Sequence, residues 1–238
     1  MTDVTALAAS IDEELRARSV PERAAGEKAY LKSDLWHYGA SVPVIRSVVR
    51  TATKAAALTH DELVELVESL WDEPVHERRA AAVEVLEAHC RLLVAGDIGL
   101  LERLLRESRT WALVDSLAAS VVGPLVEREP ALGAVLDRWA GDDDFWIRRS
   151  ALLALLIPLR QGGGDFERFG RYADAMLDEQ EFFIRKAIGW VLRDTGKKRP
   201  DLVFEWLLPR AARASGVTVR EAVKPLREDH RAAILAAR

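Results

Sequence analysis

Apolar residues recur at helical spacing along almost the whole chain, and no segment shows the alternation expected of a strand. The apolar run from Leu63 to Leu70 follows Thr59-His60-Asp61-Glu62, a capping box of the kind that begins helices. Pro130 and Pro200 stand where first-turn prolines begin helices. The pattern predicts helices over residues 2–17, 21–33, 43–57, 61–71, 74–93, 98–107, 110–127, 131–140, 143–160, 165–178, 181–196, 200–213 and 217–228.

The second helices of successive predicted pairs share a sequence repeat. Residues 76–81 align with residues 146–151 and 183–188, and Trp111 to Leu117 fits between the first two copies. One column of the alignment has steps of 36, 34, 37 and 35 residues and reads Arg79, Asp115, Arg149, Lys186, Glu221. A period of this length built from helix pairs is typical of α-solenoids. We therefore predict an all-α fold, an α-solenoid of HEAT-like helix-pair repeats, as a single domain over residues 1–238.

The repeat column is predicted to line an exposed, concave and basic groove. In the helix at 181–196, Lys186, Trp190 and Arg193 lie opposite the apolar stripe, and Arg149 faces away from the stripe of its own helix. A basic concave stripe on an acidic body is an electrostatic footprint for a polyanion. The basic groove positions are Arg78, Arg79, Arg148, Arg149, Arg185, Lys186, Arg193, Lys197, Lys198, Arg199, Arg220 and Lys224.

Composition and charge restrict the class of protein further. The chain has 49% hydrophobic and 30% charged residues and a formal net charge of −4, which is a globular composition and excludes a disordered protein. The single cysteine, Cys90, excludes a disulfide framework and a Cys-based zinc cluster, and fits a reducing compartment. We expect no secretory signal and no transmembrane segment, because no run of about 20 apolar residues occurs.

Trp190 is unusual because its repeat column otherwise holds small or aliphatic residues. One interpretation is that the indole packs over the aliphatic stems of its neighbours. The alternative is that Trp190, one turn from Lys186, offers a stacking surface for a base or a cation.

Trp111 and Asp115 are four residues apart and share one helix face. Asp115 either forms an ion pair with Arg149 or Arg79 or has a catalytic role, and Trp111 either follows a packing habit of the repeat or belongs to a site. A carboxylate flanked by indoles in a basic groove can stabilise the oxocarbenium-like transition state of N-glycosidic bond cleavage. Purines alkylated at N3 or N7 already carry positive charge, so their departure needs no general acid. Indole faces attract such cations, and the carboxylate could also orient the attacking water.

With these residues the chain resembles the AlkD-type DNA alkylation repair glycosylases, which are built of HEAT-like repeats. The resemblance runs over nearly the whole length of the chain. The combination of Trp with Asp, then Arg, then Trp at the repeat spacing is more specific than any one piece. The segments that carry the resemblance are Tyr30-Leu31-Lys32, Gly39 through Pro43 with Arg46, Leu70-Trp71-Asp72-Glu73-Pro74, Trp111 with Val114-Asp115-Ser116, Trp146-Ile147-Arg148-Arg149, and Lys186 through Arg193.

The resemblance implies a monofunctional DNA glycosylase that excises N3- and N7-alkylated purines, such as 3-methyladenine and 7-methylguanine, from double-stranded DNA in base excision repair. It implies catalytic roles for Asp115, Trp111, Trp190 and Arg149, no cofactor, and a duplex held on the concave surface without drawing the lesion into a deep pocket. We expect a cytoplasmic monomer, associated with the nucleoid when it binds DNA and without a membrane partner. The expected DNA-binding residues are Tyr30, Lys32, Arg46, Arg79, Arg148, Lys186, Arg193, Lys197, Lys198, Arg220 and Lys224.

Two other classes of protein stay open at this point. A HEAT-type scaffold would use the groove for an acidic peptide, and a non-catalytic DNA-binding protein would recognise duplex shape and charge. No metal site is expected, because the histidines show no metal-ligand spacing with Cys90. We expect these histidines, His37, His60, His76, His89 and His230, to be surface or cap residues.

Overall fold

The computed structural model describes residues 2–238, and regular structure in this range is helical. An isolated bridge joins Trp36 to Val75, and no β-strand occurs among the described residues. The prediction of an all-α chain of helix pairs is therefore confirmed. The chain divides into two compact units, one ending at Leu117 and the other spanning Ala118–Arg238, so the prediction of a single domain stays a prediction.

The N-terminal unit contains seven α-helices in its described part. Its core is formed by fully buried leucines and valines, among them Leu63, Leu66 and Val67 of the fourth helix. Thr59 caps that helix in the predicted capping box, with Glu62 as the reciprocal partner. The helices are α1 (Val4–Ala17), α2 (Pro21–Leu31), α3 (Val42–Thr53), α4 (His60–Trp71), α5 (His76–Ala88), α6 (Ile98–Ser108) and α7 (Trp111–Ser116).

The C-terminal unit contains nine α-helices. Three of them begin with acidic caps, because the Asp144, Asp165 and Glu181 carboxylates accept hydrogen bonds from backbone N–H groups of the first turn. The helices are α8 (Gly123–Arg128), α9 (Gly133–Trp139), α10 (Phe145–Leu153), α11 (Leu156–Gln161), α12 (Phe166–Ala175), α13 (Phe182–Gly196), α14 (Pro200–Leu207), α15 (Gly216–Ala222) and α16 (Glu228–Ala236). A π-helical segment, Leu117–Val122, contains the boundary between the two units.

Side-chain hydrogen bonds inside each unit repeat at the period found in the sequence. In the N-terminal unit, Trp71 Nε1 donates to Glu107 Oε2 at 2.7 Å across 36 residues. In the C-terminal unit, Tyr172 donates to Asp137 at 2.5 Å across 35 residues, and Arg160 Nε donates to Asp194 at 2.8 Å across 34 residues. Neighbouring helix pairs are therefore joined by polar side chains as well as by apolar packing.

Prolines explain two differences from the predicted helices. The predicted helix at 143–160 is divided into α10 and α11, because Pro158 has no N–H to donate to the Ala154 carbonyl oxygen. The predicted helix at 217–228 ends at Ala222, shortly before Pro225, and α16 follows where no helix was predicted. The predicted helix at 110–127 is also interrupted, by the π-helical segment.

The second helices of the repeats pack directly on one another within the C-terminal unit: α10 contacts α13, and α13 contacts α15. Gly189 permits the second of these contacts. A Cβ atom at Gly189 would lie 2.9 Å from Glu221 Cβ and 3.0 Å from the Thr218 carbonyl oxygen. Close approach of the two backbones thus depends on the absence of a side chain at this position.

Candidate functional site

Trp111 and Tyr30 form an aromatic pair in the N-terminal unit. Trp111 is the first residue of α7 and is half-buried, whereas Tyr30 lies in the last turn of α2 and is 73% exposed. Their ring centroids are 5.9 Å apart and their planes meet at 88°, which is an edge-to-face contact. The structure thus brings together two predicted site residues from distant parts of the sequence.

The aromatic pair lines a cleft of about 200 Å³ whose walls come from α2, α3, α5 and α7. Arg46 of α3 also lines this cleft, and its Nε donates to Glu84 Oε1 at 2.9 Å. This pairing raises the pKa of Arg46. The cleft is therefore aromatic on one side and carries a balanced ion pair, with Arg46 already engaged by an acid of the protein.

Asp115 lies one turn after Trp111 on α7 and is half-buried. The π-helical segment begins two residues later, at Leu117. π-Helical turns inside α-helices are rare and frequently occur at functional sites. The expected position of Asp115 on one helix face with Trp111 is therefore consistent with the local structure, and its catalytic role stays a prediction.

Arg79 and Lys32 occupy contrasting environments. Arg79 is half-buried, donates to the Glu107 carbonyl oxygen at 2.9 Å and lies 5.0 Å from the centre of the Trp71 ring. Burial lowers its pKa, although the group remains a cation at neutral pH. Lys32 is exposed and ends α2 in a left-handed conformation, with φ of 49°. Of these two predicted DNA-binding residues, Lys32 has the greater exposure.

Trp36 is an exposed aromatic residue that the sequence analysis did not single out. Its side chain is 72% exposed, yet its backbone is held on both sides. The Trp36 N–H donates to the Pro74 carbonyl oxygen at 2.9 Å, and its own carbonyl oxygen accepts from the His76 N–H at 2.8 Å. Lys28 Nζ lies 5.8 Å from the ring centre. An indole presented on a fixed backbone beside a cation fits a contact with a nucleic acid.

Three of the expected basic contacts in the C-terminal unit converge on one acid, Glu221. Lys186 Nζ and Lys224 Nζ lie 2.9 and 3.0 Å from Glu221 Oε1, and Arg193 donates to Oε2. Hydrogen bonds and charge from these cations lower the pKa of Glu221 to about 2. Glu221 thus offsets part of the positive charge predicted for the groove. The repeat column of the sequence includes Glu221 but does not indicate which cations it pairs with.

Trp190 and Lys197 are held by a second acid, Asp194, on the same helix. Trp190 Nε1 donates to Asp194 Oδ2 at 3.1 Å, and Lys197 Nζ donates to Oδ1 at 2.7 Å. Arg160 also donates to Asp194, which is buried. Trp190 itself is half-buried. The hydrogen bond to Asp194 anchors its indole, and neither interpretation of the sequence included this contact.

Arg149 corrects one expectation about the groove. It was predicted to line an exposed surface, but it is only 2% exposed. Its guanidinium donates to the Phe183 carbonyl oxygen in the first turn of α13 and lies 5.9 Å from the centre of the Phe183 ring. The helical pattern placed Arg149 away from its own apolar stripe, but packing of neighbouring elements covers that side of the helix as well.

Arg148 and Arg78 are also engaged by protein groups. Arg148 donates to both carboxylate oxygens of Glu179, at 2.9 and 2.8 Å. Arg78, predicted for the exposed groove, is buried and donates to the Ser69 carbonyl oxygen at 2.7 Å. The basic character of the groove stays a prediction. Six of the predicted basic DNA contacts are exposed: Lys32, Arg46, Lys197, Lys198, Arg220 and Lys224.

The histidines agree only in part with the expectation of surface and cap positions. His60 is the first residue of α4 and His89 caps the end of α5, as expected. His37 and His76 instead lie inside the N-terminal unit, with their rings stacked 4.6 Å apart, and His230 is also buried. Burial lowers the pKa of His76 to about 4 and also lowers that of His37. The spacing along the chain gave no sign of this stacked pair.

No helix in the described range combines the length and the hydropathy needed to cross a bilayer. This finding concerns the helices alone. The apolar stripes of the helices are instead used for packing inside the two units, as the fully buried residues Leu70, Leu86 and Ile188 illustrate.

The chain matches the family model described as DNA alkylation repair enzyme over residues 11–226. Among solved structures, a predicted DNA alkylation repair enzyme from Enterococcus faecalis is similar, with a TM-score of 0.79, 22% identity, and coverage of 89% of this chain and 98% of that chain. AlkD2 from Streptococcus mutans is similar with a TM-score of 0.60 and 17% identity, covering 87% of this chain and 98% of the other. No curated protein sequence matches the chain significantly.

The family match includes every residue of the predicted site, from Tyr30 to Lys224. The two structural neighbours share the all-helical fold over nearly all of their own length. Fold, motif order and family match agree with one another. The chain belongs to the DNA alkylation repair enzyme family.

Proposed function

We propose that this protein is a monofunctional DNA glycosylase that hydrolyses the N-glycosidic bond of N3- or N7-alkylated purines in double-stranded DNA. The observation that carries the proposal is the placement of Asp115 one turn after Trp111 on α7, with Trp111 lining an aromatic cleft, in a chain of the DNA alkylation repair enzyme family. The reaction would be the first step of base excision repair.

The charge of the substrate determines what the protein must supply. An alkylated purine such as 7-methylguanine leaves when the bond between C1′ and the ring nitrogen breaks, and the bonding electron pair neutralises the base. The sugar becomes an oxocarbenium ion, which the Asp115 carboxylate stabilises electrostatically. Water then adds its oxygen to C1′ and gives up a proton, for which Asp115 is the acceptor. No metal or other cofactor takes part in this sequence.

The indoles have a binding role in this scheme. Trp111, fixed by Tyr30, and Trp190, anchored through its Nε1 to Asp194, would contact the deoxyribose and backbone of the lesion. Their faces favour a nearby cation, by about 0.5–2 kcal/mol each. Both side chains are half-buried, so they combine restricted mobility with an accessible surface.

We propose a role for Arg149 other than the catalytic contact that the resemblance implies. With 2% exposure it has little surface for a phosphate, and its hydrogen bond ends on the first turn of α13. We therefore assign Arg149 a positioning role for α13, which also carries Trp190. Contacts with the duplex fall to the exposed cations, among them Lys32, Lys197 and Lys198.

The decisive experiment is base release from methylated duplex DNA by the wild type and by Asp115→Asn. Loss of one electrostatic contact to a transition state costs about 10²–10³-fold in rate, so we expect Asp115→Asn to lose release by that factor and to retain DNA binding. Asp61→Asn, at an exposed site on α4, is the control and should release base at the wild-type rate.

The same assay separates the two rival classes of function. Salt-sensitive DNA binding by the wild type without base release would indicate a non-catalytic DNA-binding protein. Absence of both DNA binding and release would favour a scaffold for acidic peptides. Release by Asp115→Asn at the wild-type rate would show that the carboxylate is not catalytic. We expect the active protein to be a cytoplasmic monomer.

A further inference from the structure

Two carboxylates and one imidazole meet inside the N-terminal unit. Glu27 comes from α2, His37 from the segment between α2 and α3, and Glu77 from the first turn of α5. One nitrogen or oxygen atom of each side chain lies within 4.8 Å of those of the other two. His37 Nδ1 and Glu27 Oε2 are 4.0 Å apart, which is too long for a hydrogen bond.

The imidazole of His37 is buried without hydrogen-bond partners. Its side chain is 1% exposed, and neither ring nitrogen has a hydrogen-bond partner among the described residues. Glu27 Oε2, the oxygen that faces it, is also buried without a partner. Buried polar atoms are nearly always satisfied in folded proteins, so three such atoms at one point indicate a missing group.

Glu77 is already oriented for a ligand. The residue is fully buried, and its two oxygens accept hydrogen bonds from three successive backbone N–H groups, those of Tyr38 at 2.9 Å, Gly39 at 2.6 Å and Ala40 at 3.2 Å. These bonds fix the carboxylate and also the segment that carries His37. Oε1 accepts two of these bonds and Oε2 accepts one, so Oε2 keeps a second lone pair with which it can coordinate a cation.

We propose that Glu27, His37 and Glu77 bind one divalent transition-metal ion of the Zn²⁺ class. An imidazole nitrogen with two carboxylate oxygens is a donor set that Zn²⁺ accepts, whereas Mg²⁺ and Ca²⁺ prefer oxygen ligands throughout. Zn²⁺ holds these ligands at about 2.0–2.2 Å, so binding requires the three side chains to draw together by small rotations. The ion would place positive charge beside the buried Glu77 carboxylate and beside the half-buried Glu27 carboxylate, whose other oxygen already pairs with Arg23.

The site differs in kind from the glycosylase centre and does not depend on it. Its place in the fold gives it a structural role, because it joins α2, the following segment and α5. Glu27 also lines the cleft that contains Tyr30 and Trp111. A bound ion would therefore hold the last turns of α2 in place beneath this cleft.

The spacing of these residues along the chain explains why no metal site was expected from the sequence. Glu27, His37 and Glu77 match no compact metal-ligand motif, because the third ligand is contributed by a separate helix pair. His76, whose ring stacks on that of His37, closes one side of the cluster. Only the tertiary structure brings α2, the segment that follows it and the first turn of α5 close enough for the donors to meet.

The test measures metal binding to the full-length protein after treatment with a chelator. Zn²⁺ is added back, and its stoichiometry and affinity are determined by calorimetry and elemental analysis. We expect one Zn²⁺ per chain and a higher melting temperature with the ion, because a ligand that binds the folded state stabilises it. Co²⁺ in place of Zn²⁺ should give visible absorption bands that report the coordination.

Variants identify the ligands. His37→Gln and Glu27→Gln should each weaken Zn²⁺ binding at least tenfold and remove the gain in melting temperature, whereas His89→Gln, a cap residue outside the cluster, should bind like the wild type. If His37→Gln does not fold, Glu27→Gln decides whether the site exists. Glu27 is the more accessible ligand, because its Oε1 accepts a hydrogen bond from the exposed Arg23. Absence of stoichiometric binding in the wild type, or equal binding by the folded variants, would overturn the site and leave a proton or a water molecule as the partner of His37.

Discussion

Tyr30 and Trp111 meet edge to face, with ring centroids 5.9 Å apart and planes at 88°. The contact joins the last turn of α2 to the first residue of α7. An edge-to-face pair contributes about 0.5–1.5 kcal/mol beyond the burial of the rings. The indole that we place against the lesion is therefore held by a residue from a separate helix pair.

The aromatic pair predicts a graded response to substitution. Tyr30→Leu removes the edge contact and should slow base release about 2- to 10-fold, because Trp111 is less restrained. Tyr30→Phe preserves the ring and should remain close to the wild type. Single-turnover release of 7-methylguanine measures both. Equal rates for Tyr30→Leu and the wild type would show that the contact does not position the indole.

Trp36 is expected to contribute to DNA affinity. Trp36→Ala leaves the backbone hydrogen bonds to Pro74 and His76 in place, so the fold should persist while an exposed stacking surface is lost. The dissociation constant for duplex DNA, measured by fluorescence anisotropy, should rise about fivefold, which corresponds to about 1 kcal/mol. Leu235→Ala, which truncates a residue that is 51% exposed on α16, is the control and should bind normally.

The salt dependence of DNA binding distinguishes the stacking contribution of Trp36 from the charge contribution of the neighbouring Lys28. Lys28→Ala removes the cation beside the Trp36 ring and should reduce the slope of log K against log salt by about 1. Trp36→Ala removes no charge and should leave the slope unchanged. A change in slope for Trp36→Ala, or none for Lys28→Ala, would contradict the assignment of this surface to the DNA backbone.

Glu221→Gln should increase DNA affinity and decrease stability. The substitution removes the carboxylate that offsets Lys186, Arg193 and Lys224, so the net positive charge of this surface rises. DNA binding should become tighter and steeper in its salt dependence. Loss of hydrogen bonds to charged groups should lower the free energy of unfolding by about 1–3 kcal/mol, measured by urea denaturation at pH 7.

The pH dependence of stability follows from the same carboxylate. The pKa of Glu221 is about 2 in the folded protein, below the ordinary glutamate value of 4.5, so the unfolded chain binds the proton more readily. The contribution of Glu221 to stability is therefore complete above pH 4.5 and is lost as pH falls from about 4.5 to about 2. Urea denaturation between these values should show a shallower decline for Glu221→Gln than for the wild type. Parallel declines would exclude Glu221 as a source of acid sensitivity.

Gly189→Ala should destabilise the packing of α13 on α15. The added Cβ would lie 2.9 Å from Glu221 Cβ and 3.1 Å from Thr218 Cα, so the helices must separate. We expect a loss of about 1–3 kcal/mol in the free energy of unfolding, despite the higher helix propensity of alanine. Gly99→Ala on α6, where a Cβ meets no atom within 4 Å, should instead stabilise by about 0.5–1 kcal/mol. Chemical denaturation of the two variants compares them directly, and a neutral Gly189→Ala would disprove the close packing.

Local signals in the sequence determined the helices and their repeat. The capping box from Thr59 to Glu62 begins α4 as predicted, and the period near 35 residues reappears in hydrogen bonds such as that of Tyr172 with Asp137. The capping box depends on residues within one helical turn, and the period depends on the repeat of helix pairs along the chain. The order of the motifs with Trp111, Asp115 and Trp190 likewise indicated the family without tertiary information.

Only the tertiary structure decided how the polar side chains are partnered. Helical periodicity places Arg149 away from one apolar stripe, but whether a second surface covers it depends on neighbouring elements, and here it is buried against Phe183. Glu221 pairs with three cations, and the His37 side chain is almost entirely shielded from solvent, because elements distant in the sequence pack together. Burial and charge pairing are properties of the assembled surfaces, so a pattern within one helix cannot specify them.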